Sequence, residues 1–536
     1  MANPGAAPAA GRARVERRIR RGSNEVTMSR SRTTPRRRRD GAGGLHQLPW
    51  QLVENPMPPV EVLRPEQIER IHDASLTILE EIGMDFLHDD AIEILRRAGA
   101  ETTPGSRRVR LDRGLVLEAV AKAPSAYTFH ARNPERHVRI GGRSIVFASV
   151  GSAPNVSDIE GGRRVGNYRD YCNLLRLGQS LNAMHIFGGY PVEPVDLHPS
   201  TRHLDALRAF ATLSDKPFHA YALGRVRMRD GIEIARIARG VGREQLEREP
   251  SLFTVVNTSS PLRLDGPMIE GLIEMAKAGQ IVTVTPFTLS GAMAPATLAG
   301  ALAQQNAEAL ATIALIQLVK PGAPVMYGGF TSNVDMKSGA PAFGTPEYAK
   351  AALAGGQLAR RYGIPYRSSN TNASNAVDVQ ATYESMVSLW AAVQGHANMV
   401  MHSLGWLEGG LRASFEKMIV DAELVQTMIE FLQPLVVDDD TLGLDAIREV
   451  GPGGHFFGAQ HTLARYETAF YAPLLSDWRN FESWQEAGAP DATQRAHQLY
   501  KRILAEYEPP PLDPAIAEEL DAFVARRKEE GGVPSD

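Results

Sequence analysis

The stretch Gly363-Ile-Pro-Tyr-Arg-Ser-Ser-Asn-Thr-Asn-Ala-Ser-Asn-Ala-Val-Asp-Val-Gln-Ala-Thr-Tyr-Glu384 contains one complete strand–loop–helix unit. A short apolar strand, Ile364–Ser369, runs into a loop of small amide and hydroxyl side chains, which then enters a helical run, Val379–Gln394. A packed core has no use for such a loop, whereas loops after parallel strands carry the functional groups of α/β barrels. We therefore expect a site at the end of this strand.

The same alternation of strand and helix extends over residues 144–394 and on to a last strand. The predicted strands are Ser144–Val150, Ala183–Gly188, Pro217–Leu223, Leu252–Asn257, Ile281–Pro286, Pro324–Phe330, Ile364–Ser369 and Met399–Leu404. The helices between them are predicted at Asp170–Leu181, Ser200–Leu213, Arg229–Arg239, Gly266–Ala278, Leu298–Val319, Thr345–Tyr362 and Val379–Gln394. Apolar strands at this spacing are typical of βα units in a sheet covered on both faces. Eight such units predict an α/β fold of the (β/α)8 TIM-barrel type, with an open doubly wound sheet as the competing topology.

The barrel, residues 143–432, is flanked on both sides. Residues 46–142 are expected to form an arm and a helical cap, with helices near 64–83, 89–98 and 112–123 and a hairpin at 127–140. Residues 433–536 are expected to form a helical extension, with helices near 459–471, 491–507 and 514–528. Residues 1–45 lack apolar periodicity and are expected to be a disordered Arg-rich tail; whether Met1 or Met28 is the first residue stays open.

Composition limits the classes of function. Twelve arginines against three acidic residues give residues 1–45 a formal charge of +9, so the rest of the chain carries −13 of the total −4. An acidic body argues against nucleic acid as a partner. The single cysteine, Cys172, excludes an internal disulfide and a cysteine-based metal site, and fits a reducing compartment. No apolar run approaches the roughly 18 residues of a membrane span, and the N-terminus has no apolar signal core, so we expect a cytoplasmic protein.

The predicted strand ends carry aromatic, amide and hydroxyl side chains, and neither carboxylates nor lysines stand directly there. The absence of a strand-end lysine argues against Schiff-base chemistry, and no His/Cys/Asp cluster has metal-site spacing. Four rings are candidates for an aromatic cage, the usual protein solution for binding a quaternary ammonium ion. These rings are Tyr327, Phe330, Tyr366 and Trp406.

A glycine cluster, Gly451-Pro-Gly-Gly-His-Phe-Phe-Gly458, stands outside the predicted barrel. Its spacing does not fit a dinucleotide fingerprint, and no βαβ strand precedes it. We interpret it as a tight loop that leads to a helix near His461.

Several motifs in order give the chain its resemblance to a known family. They are Pro58-Pro-Val-Glu-Val-Leu63, Leu79-Glu-Glu-Ile-Gly83, Asn257-Thr-Ser-Ser-Pro-Leu262, Gly405-Trp-Leu-Glu-Gly-Gly410 and Gly451-Pro-Gly-Gly-His455 with His461-Thr-Leu463. From about residue 48 to about 506 the chain resembles the trimethylamine methyltransferase family, and within it the members without pyrrolysine that act on glycine betaine and related quaternary amines. The resemblance implies a (β/α)8 barrel that passes a methyl group to the cob(I)alamin of a separate corrinoid protein.

The resemblance also bears on the opening stretch. In the trimethylamine enzymes this loop carries pyrrolysine just ahead of a segment ending Asp-x-Gln-x-x-Tyr-Glu, which is Asp378–Glu384 here and puts Thr371 at the pyrrolysine position. A quaternary ammonium already carries its charge and leaves as a neutral amine, so it needs orientation and desolvation rather than an acid, a base or a nucleophile.

We therefore expect no acid–base or nucleophilic residue, no cofactor and no metal on this chain itself. The four rings are expected to bind the ammonium group. Arg367, Asn370, Thr371 and His402 are expected to position a substrate carboxylate, and Gln380 and Glu384 to order the loop from behind.

Two other functions remain open from the sequence. The same reaction could act on a tertiary amine such as trimethylamine or on a sulfonium, and a betaine-binding protein without turnover would have the same cage. The identity of the corrinoid partner, the exact substrate and the oligomeric state, including a homo-oligomer, stay open.

Overall fold

Seven strands form the central sheet of the chain, which a computed structural model describes over residues 45–534. We number them β1 (Val53–Glu54), β2 (Ser144–Ser149), β3 (Phe253–Val256), β4 (Ile281–Val284), β5 (Val325–Gly328), β6 (Tyr366–Ser369) and β7 (Met399–Leu404). Their order in the sheet is β1-β2-β7-β6-β5-β4-β3, and all neighbours are parallel except β1 and β2. The parallel strands are buried on both faces, as the mostly apolar sequences of β2, β4, β5 and β7 predict. The expected disordered tail lies outside the described residues, apart from Leu45.

Two of the eight expected strands are reduced to single bridges. Ile186 pairs with Ala148 of β2, Phe187 N–H donates to Pro217 O at 2.9 Å, and His219 pairs with Phe253 of β3. Regular strands were predicted at 183–188 and 217–223. Pro217 cannot donate a backbone hydrogen bond, and Gly188 precedes a second glycine, so neither segment supports a full ladder. Backbone contacts nevertheless run from β2 through these two segments to β3.

Helices cover one face of this sheet, and the seven that the sequence predicts between the strands lie near their predicted bounds. In the body they are Tyr168–Ser180, Arg202–Leu213, Arg225–Arg239, Arg243–Arg248, Gly266–Lys277, Leu298–Val319, Pro346–Tyr362, Val379–Gln394 and Phe415–Phe431. The fold is therefore mixed α/β, with a curled parallel sheet and an outer layer of helices.

The other face of the sheet, which we call the inner face, encloses its own apolar cluster. Val146, Ile186, Phe253, Met326 and Met399 belong to it. The antiparallel hairpin Ala126–Phe129 with Val138–Gly141 adds Phe129, Val138 and Ile140 to the cluster and confirms the hairpin predicted at 127–140. This hairpin fills the end of the sheet from which the strands start.

The N-terminal region contains helices Pro65–Thr77, Asp89–Arg97 and Arg113–Val120, with a π-helical turn at Ile78–Ile82. It also contains short strands that helical periodicity did not predict. Met84–Phe86, Glu101–Thr102 and Arg108–Arg110 form a small sheet with Arg263–Leu264. The cap is thus partly β.

Small sheets extend the opposite end of the central sheet, where the strands finish. One joins Asn155–Asp158, Gly162–Val165, Trp406–Leu407 and Arg412–Ser414; the other joins Leu289–Ser290, Ser332–Val334 and Pro341–Ala342. Both are built from segments that follow central strands, so they form the rim around the strand ends.

The C-terminal region contains helices Asp439–Leu442, Leu444–Val450, Gln460–Leu463, Phe481–Glu486, Ala492–Ala505 and Pro514–Glu529. The predictions at 491–507 and 514–528 are confirmed. The predicted helix at 459–471 is wrong, because only its first turn is helical. Most of this segment's side chains are exposed, and a short helix without a packed face is marginal in water. Within residues 45–534, no helix has the length and apolarity needed to cross a bilayer.

Candidate functional site

Arg367 lies on the inner face of β6, beyond the apolar cluster and at the end where the strands finish. Its partners in the strand register are Gly328 of β5 and Met399 of β7. Gly328 itself has no space for a side chain, since a Cβ there would lie 2.4 Å from Thr285 Oγ1. Arg367 is only 2% exposed. Its guanidinium is therefore fixed inside the protein.

This guanidinium has unused hydrogen-bond donors. Nη2 lies 3.4 Å from His402 Nε2, whereas Nε and Nη1 have no hydrogen-bond partner among the described residues. Burial lowers the pKa of Arg367 to about 10 and only tyrosines oppose that shift. The group remains a cation at neutral pH, and a buried cation without a partner anion is costly. The site is therefore suited to receive an anion.

His402 adds a second donor next to Arg367. Its ring is buried, and burial together with the Arg367 charge holds its pKa well below the ordinary value, so the imidazole is neutral. Because Nε2 accepts from Arg367, the proton is on Nδ1, which has no partner in residues 45–534. The backbone at His402 has φ +56°, a left-handed conformation in which a non-glycine residue is strained and often functional.

Aromatic rings surround the two donors. The His402 and Trp406 rings are 4.2 Å apart, Phe330 lies 6.1 Å from Trp406, and the Arg367 guanidinium lies 5.3 Å from the Phe330 ring centre. We call these four residues, Phe330, Arg367, His402 and Trp406, the strand-end cluster. It combines ring faces, which attract cations, with donors that attract anions.

The sequence missed three rings that pack on this cluster. Phe343 lies 5.4 Å from Phe330 and 6.3 Å from Trp406, and Phe287 and Tyr348 lie 5.2 Å and 6.2 Å from Phe330. Phe287 is at a predicted strand end, which is a usable signal. Phe343 follows the rim strand Pro341–Ala342, which apolar periodicity did not predict.

The structure does not bring Tyr327 and Tyr366 to the strand-end cluster. Tyr327 Oη donates to Asn306 Oδ1 at 3.0 Å, and Tyr366 Oη donates to Ala352 O at 2.8 Å, so both hydroxyls reach into the helix layer. The two residues are partners in register, one position before Gly328 and Arg367. Since side chains alternate along a strand, neighbours point to opposite faces.

Asn370 and Thr371 hold the start of the polar loop. Asn370 Nδ2 donates to Ser403 O at 3.1 Å and leaves its Oδ1 without a partner in the described part of the chain. The Thr371 hydroxyl lies 3.3 Å from Ser388 Oγ, on helix Val379–Gln394. Thr371 therefore turns toward the helix layer.

Glu384 and Gln380 lie behind the loop. One Glu384 oxygen accepts the N–H groups of Ala373 and Ser374 at 2.8 and 3.1 Å, and the other accepts from Gln380 Nε2 at 2.8 Å. A carboxylate that takes two successive backbone amides fixes the course of a loop that has no regular structure.

Asn372, which sequence reasoning missed, connects the loop to Trp406. The indole Nε1–H donates to Asn372 O at 3.2 Å, and Asn372 Nδ2 donates to Trp406 O at 2.8 Å. Gly410 lies against the indole, where a Cβ would come within 2.6 Å of the ring. The Trp406 ring is thus held from both sides.

A buried ion pair supports the same turn. Lys417 and Asp421 are in contact and fully buried, Asp421 Oδ2 accepts from Gly405 N at 2.8 Å, and Lys417 Nζ donates to Ser385 Oγ at 2.9 Å. Burial lowers the pKa of Lys417 and raises that of Asp421, so the pair depends on its mutual contact.

In the part of the chain that the structure describes, no group of three or more His, Cys, Asp or Glu side chains is placed to hold a metal ion.

Comparisons with known proteins place this geometry in context. The family model described as trimethylamine methyltransferase (MTTB) matches residues 29–532. Glycine betaine methyltransferase of Desulfitobacterium hafniense is 40% identical over 477 residues, which are 89% of this chain and 99% of that protein. Trimethylamine methyltransferase MttB of the same species is 30% identical over 470 residues, 87% of this chain and 94% of that protein. MttB of Methanosarcina barkeri is 27% identical over 471 residues, covering 86% and 93%.

Among solved structures, the hydroxylamine complex of MtmB matches with a TM-score of 0.45 and 10% sequence identity. The match covers 86% of this chain and 92% of that one.

Proposed function

The chain belongs to the trimethylamine methyltransferase family, and we propose that it transfers a methyl group from a zwitterionic quaternary amine of the glycine betaine type. The acceptor in this proposal is the cob(I)alamin of a separate corrinoid protein. Cobalamin would be carried by that partner and not by this chain.

One observation carries the proposal: a buried cation without a partner anion lies against aromatic rings. Arg367 offers Nε and Nη1 to an anion, while Trp406, next to Phe330, offers a ring face to a cation. A carboxylate joined to a trimethylammonium group satisfies both requirements within one small molecule. Trimethylamine would leave Arg367 unpaired.

In this proposal the residues of the chain bind, orient and desolvate the substrate. Arg367 and the Nδ1–H of His402 hold the carboxylate, and the Trp406 ring holds the ammonium group with one methyl directed toward the ends of the strands. The corrinoid partner supplies the cobalt nucleophile when it docks there. The C–N bond breaks with its electron pair remaining on nitrogen, so the amine leaves neutral and no side chain has to donate a proton.

We further infer that the parallel strands close into a (β/α)8 barrel. Two irregular strand segments, at 183–188 and 217–223, would complete the barrel between β2 and β3. The bridges at Ile186 and His219 and the hydrogen bond from Phe187 to Pro217 support this closure. The strand-end cluster would then lie at the carboxyl ends of the barrel strands, where barrel enzymes have their active sites. Residues 46–142 and 433–536 would flank this barrel as cap and extension.

The remaining assignments follow from the same proposal. Thr371 would replace the pyrrolysine of the trimethylamine enzymes, Asn370 and Thr371 would shape the substrate-facing loop, and Gln380 and Glu384 would keep it ordered. Tyr327 and Tyr366 would support the cluster from the helix layer. We place the reaction in the cytoplasm, which the single buried Cys172 supports.

Methylation of cob(I)alamin, followed by its absorbance change, tests the proposal with the purified chain and its cognate corrinoid protein. We expect turnover with glycine betaine and formation of dimethylglycine. Turnover only with trimethylamine or a sulfonium would contradict the proposed substrate. Binding of glycine betaine without any methyl transfer would contradict the proposed reaction.

A further inference from the structure

Residues 433–470 form an arm that leaves helix Phe415–Phe431 and returns to it. At its start, Phe431 packs against Trp390 with ring centres 5.0 Å apart. Just beyond its end, Glu423 accepts hydrogen bonds from Tyr471 Oη, Leu474 N and Leu475 N at 3.1, 2.6 and 2.8 Å. Both ends of the arm are therefore fixed to the body.

The arm has internal structure. Asp440 forms an ion pair with Arg465, and its carbonyl oxygen lies 3.1 Å from His461 Nε2. His461 also packs on Gly443. The glycine motif Gly451–Gly458 and His461 thus belong to a folded arm and not to the strand-end cluster.

The arm exposes far more apolar surface than is usual for the surface of a monomeric protein. Eleven large apolar side chains are at least 44% exposed, with Leu435 at 89% and Phe457 and Phe470 at 83%. The set is Leu435, Val436, Val437, Leu442, Leu444, Ile447, Phe456, Phe457, Leu463, Tyr466 and Phe470. Together they expose roughly 1,000 Å², counting about 150–250 Å² for a whole aromatic side chain and about 60–120 Å² for a whole aliphatic one. The largest apolar patch of a typical monomer is only about 300–600 Å².

We propose that this arm is the contact surface between two copies of this chain. The exposed area reaches the roughly 800 Å² per partner of a stable interface. Permanent homotypic interfaces are more apolar than transient ones, and the same patch on both copies is self-complementary about a twofold axis. A second copy therefore fits both the size and the character of the arm.

The position of the arm argues against the corrinoid protein, the proposed methyl acceptor, as the partner that covers this apolar surface. Helix Phe415–Phe431 has 17 residues and starts next to the rim strand Arg412–Ser414, so its far end, where the arm begins, is about 25 Å from the rim. A partner that must dock at the strand ends and leave in each cycle would need a smaller, more polar contact near the rim.

Sedimentation velocity and hydrogen exchange of the full chain, without substrate, test this proposal independently of the proposed reaction. We expect a dimer or higher oligomer in which residues 433–470 are protected, with protection falling on dilution. The double variant Phe457→Glu, Phe470→Glu should be a folded monomer by circular dichroism. The control Leu52→Glu, Val195→Glu changes two exposed apolar residues of the body and should keep the assembly.

Three results would overturn the proposal. The first is a monomeric wild-type chain. The second is a wild-type oligomer whose arm exchanges freely. The third is protection of the arm only after the corrinoid protein is added. If the double variant does not fold, the wild-type dilution experiment decides by itself.

Discussion

At the scale of single residues, Arg367 dominates the energetics of the site. Its buried charge has no partner anion among the described residues, and burial alone lowers its pKa to about 10 from an ordinary 12.5. A shift of this size corresponds to about 3 kcal/mol of destabilisation in the free protein. A bound carboxylate would recover part of it, which couples substrate binding to stability.

Replacement of Arg367 by methionine should therefore stabilise the free protein. We expect Arg367→Met to raise the free energy of unfolding by about 1–3 kcal/mol, because an unpaired buried charge is replaced by an apolar side chain of similar length. Urea titrations measure this change. Glycine betaine should raise the Tm of the wild type more than that of the variant. A variant that is less stable than the wild type would show that Arg367 already has an adequate partner.

Two aromatic substitutions distinguish a ring of the strand-end cluster from a ring that faces the helix layer. Trp406→Leu should lower kcat/KM for the quaternary amine about 10- to 100-fold, because a cation on a desolvated ring is worth about 2 kcal/mol. Tyr327→Phe should leave kcat/KM within about twofold and cost about 1 kcal/mol of stability, through the lost bond to Asn306. Equal losses of activity in both variants would show that Tyr327 also faces the substrate.

The sequence located the strand ends but not the face of every side chain. Arg367, Phe330, His402 and Trp406 were predicted as site residues and lie together, whereas Tyr327 and Tyr366 are one position out of phase with Arg367. In a strand buried on both faces, apolar character does not distinguish inside from outside, and a shift of one residue exchanges the two. Only the register with neighbouring strands shows which face of the sheet each side chain occupies.

At the scale of elements, the polar loop after β6 depends on one carboxylate. Glu384 accepts the amides of Ala373 and Ser374 and is itself held by Gln380. The loop in turn carries Asn372, which binds Trp406. Small polar residues predicted the loop, but nothing in their spacing indicates the return contact to Trp406, which joins residues 34 positions apart.

Removal of the Glu384 carboxylate should loosen this loop. In Glu384→Ala we expect faster hydrogen exchange at residues 371–378, a loss of about 1–3 kcal/mol in stability from unpaired buried amides, and a fall in kcat/KM of at least tenfold. Exchange measured by mass spectrometry tests this, with Glu347→Ala, an exposed acid at the start of the preceding helix, as control. Unchanged exchange in the loop would mean that other contacts order it.

The sequence predicted where the strands lie but not which of them are regular. Six of the eight predicted segments are regular strands, including the polar Tyr366–Ser369, while the equally apolar segments at 183–188 and 217–223 are reduced to bridges. The rim sheets were missed because each strand has only two to four residues, too few for a periodic signal.

At the scale of the whole molecule, buried neutral histidines make the fold sensitive to acid. His185 accepts from Phe147 N at 3.1 Å and donates to Gln51 O at 3.0 Å, away from the strand-end cluster. Burial lowers its pKa to about 4. Below pH 6.5 the unfolded chain takes up a proton that the folded chain does not, so stability falls as the pH is lowered toward 4.

The variant His185→Gln should remove this contribution. We expect the slope of unfolding free energy against pH between 6.5 and 4 to decrease by up to about 1.4 kcal/mol per pH unit. Denaturant titrations of the variant and the wild type at several pH values give the slope. An unchanged slope in His185→Gln would mean that His185 is protonated in the folded protein at these pH values.

Calorimetric titration of glycine betaine and choline into the wild type and Arg367→Met tests the central claim most directly, because the two ligands share a trimethylammonium group and differ in the carboxylate. We predict that the wild type binds glycine betaine at least about 30-fold more tightly than choline, as expected for a buried charge pair worth 2 kcal/mol or more. The variant should bind the two ligands within a few-fold of each other. Equal affinities in the wild type, or a preference that survives in Arg367→Met, would contradict the account.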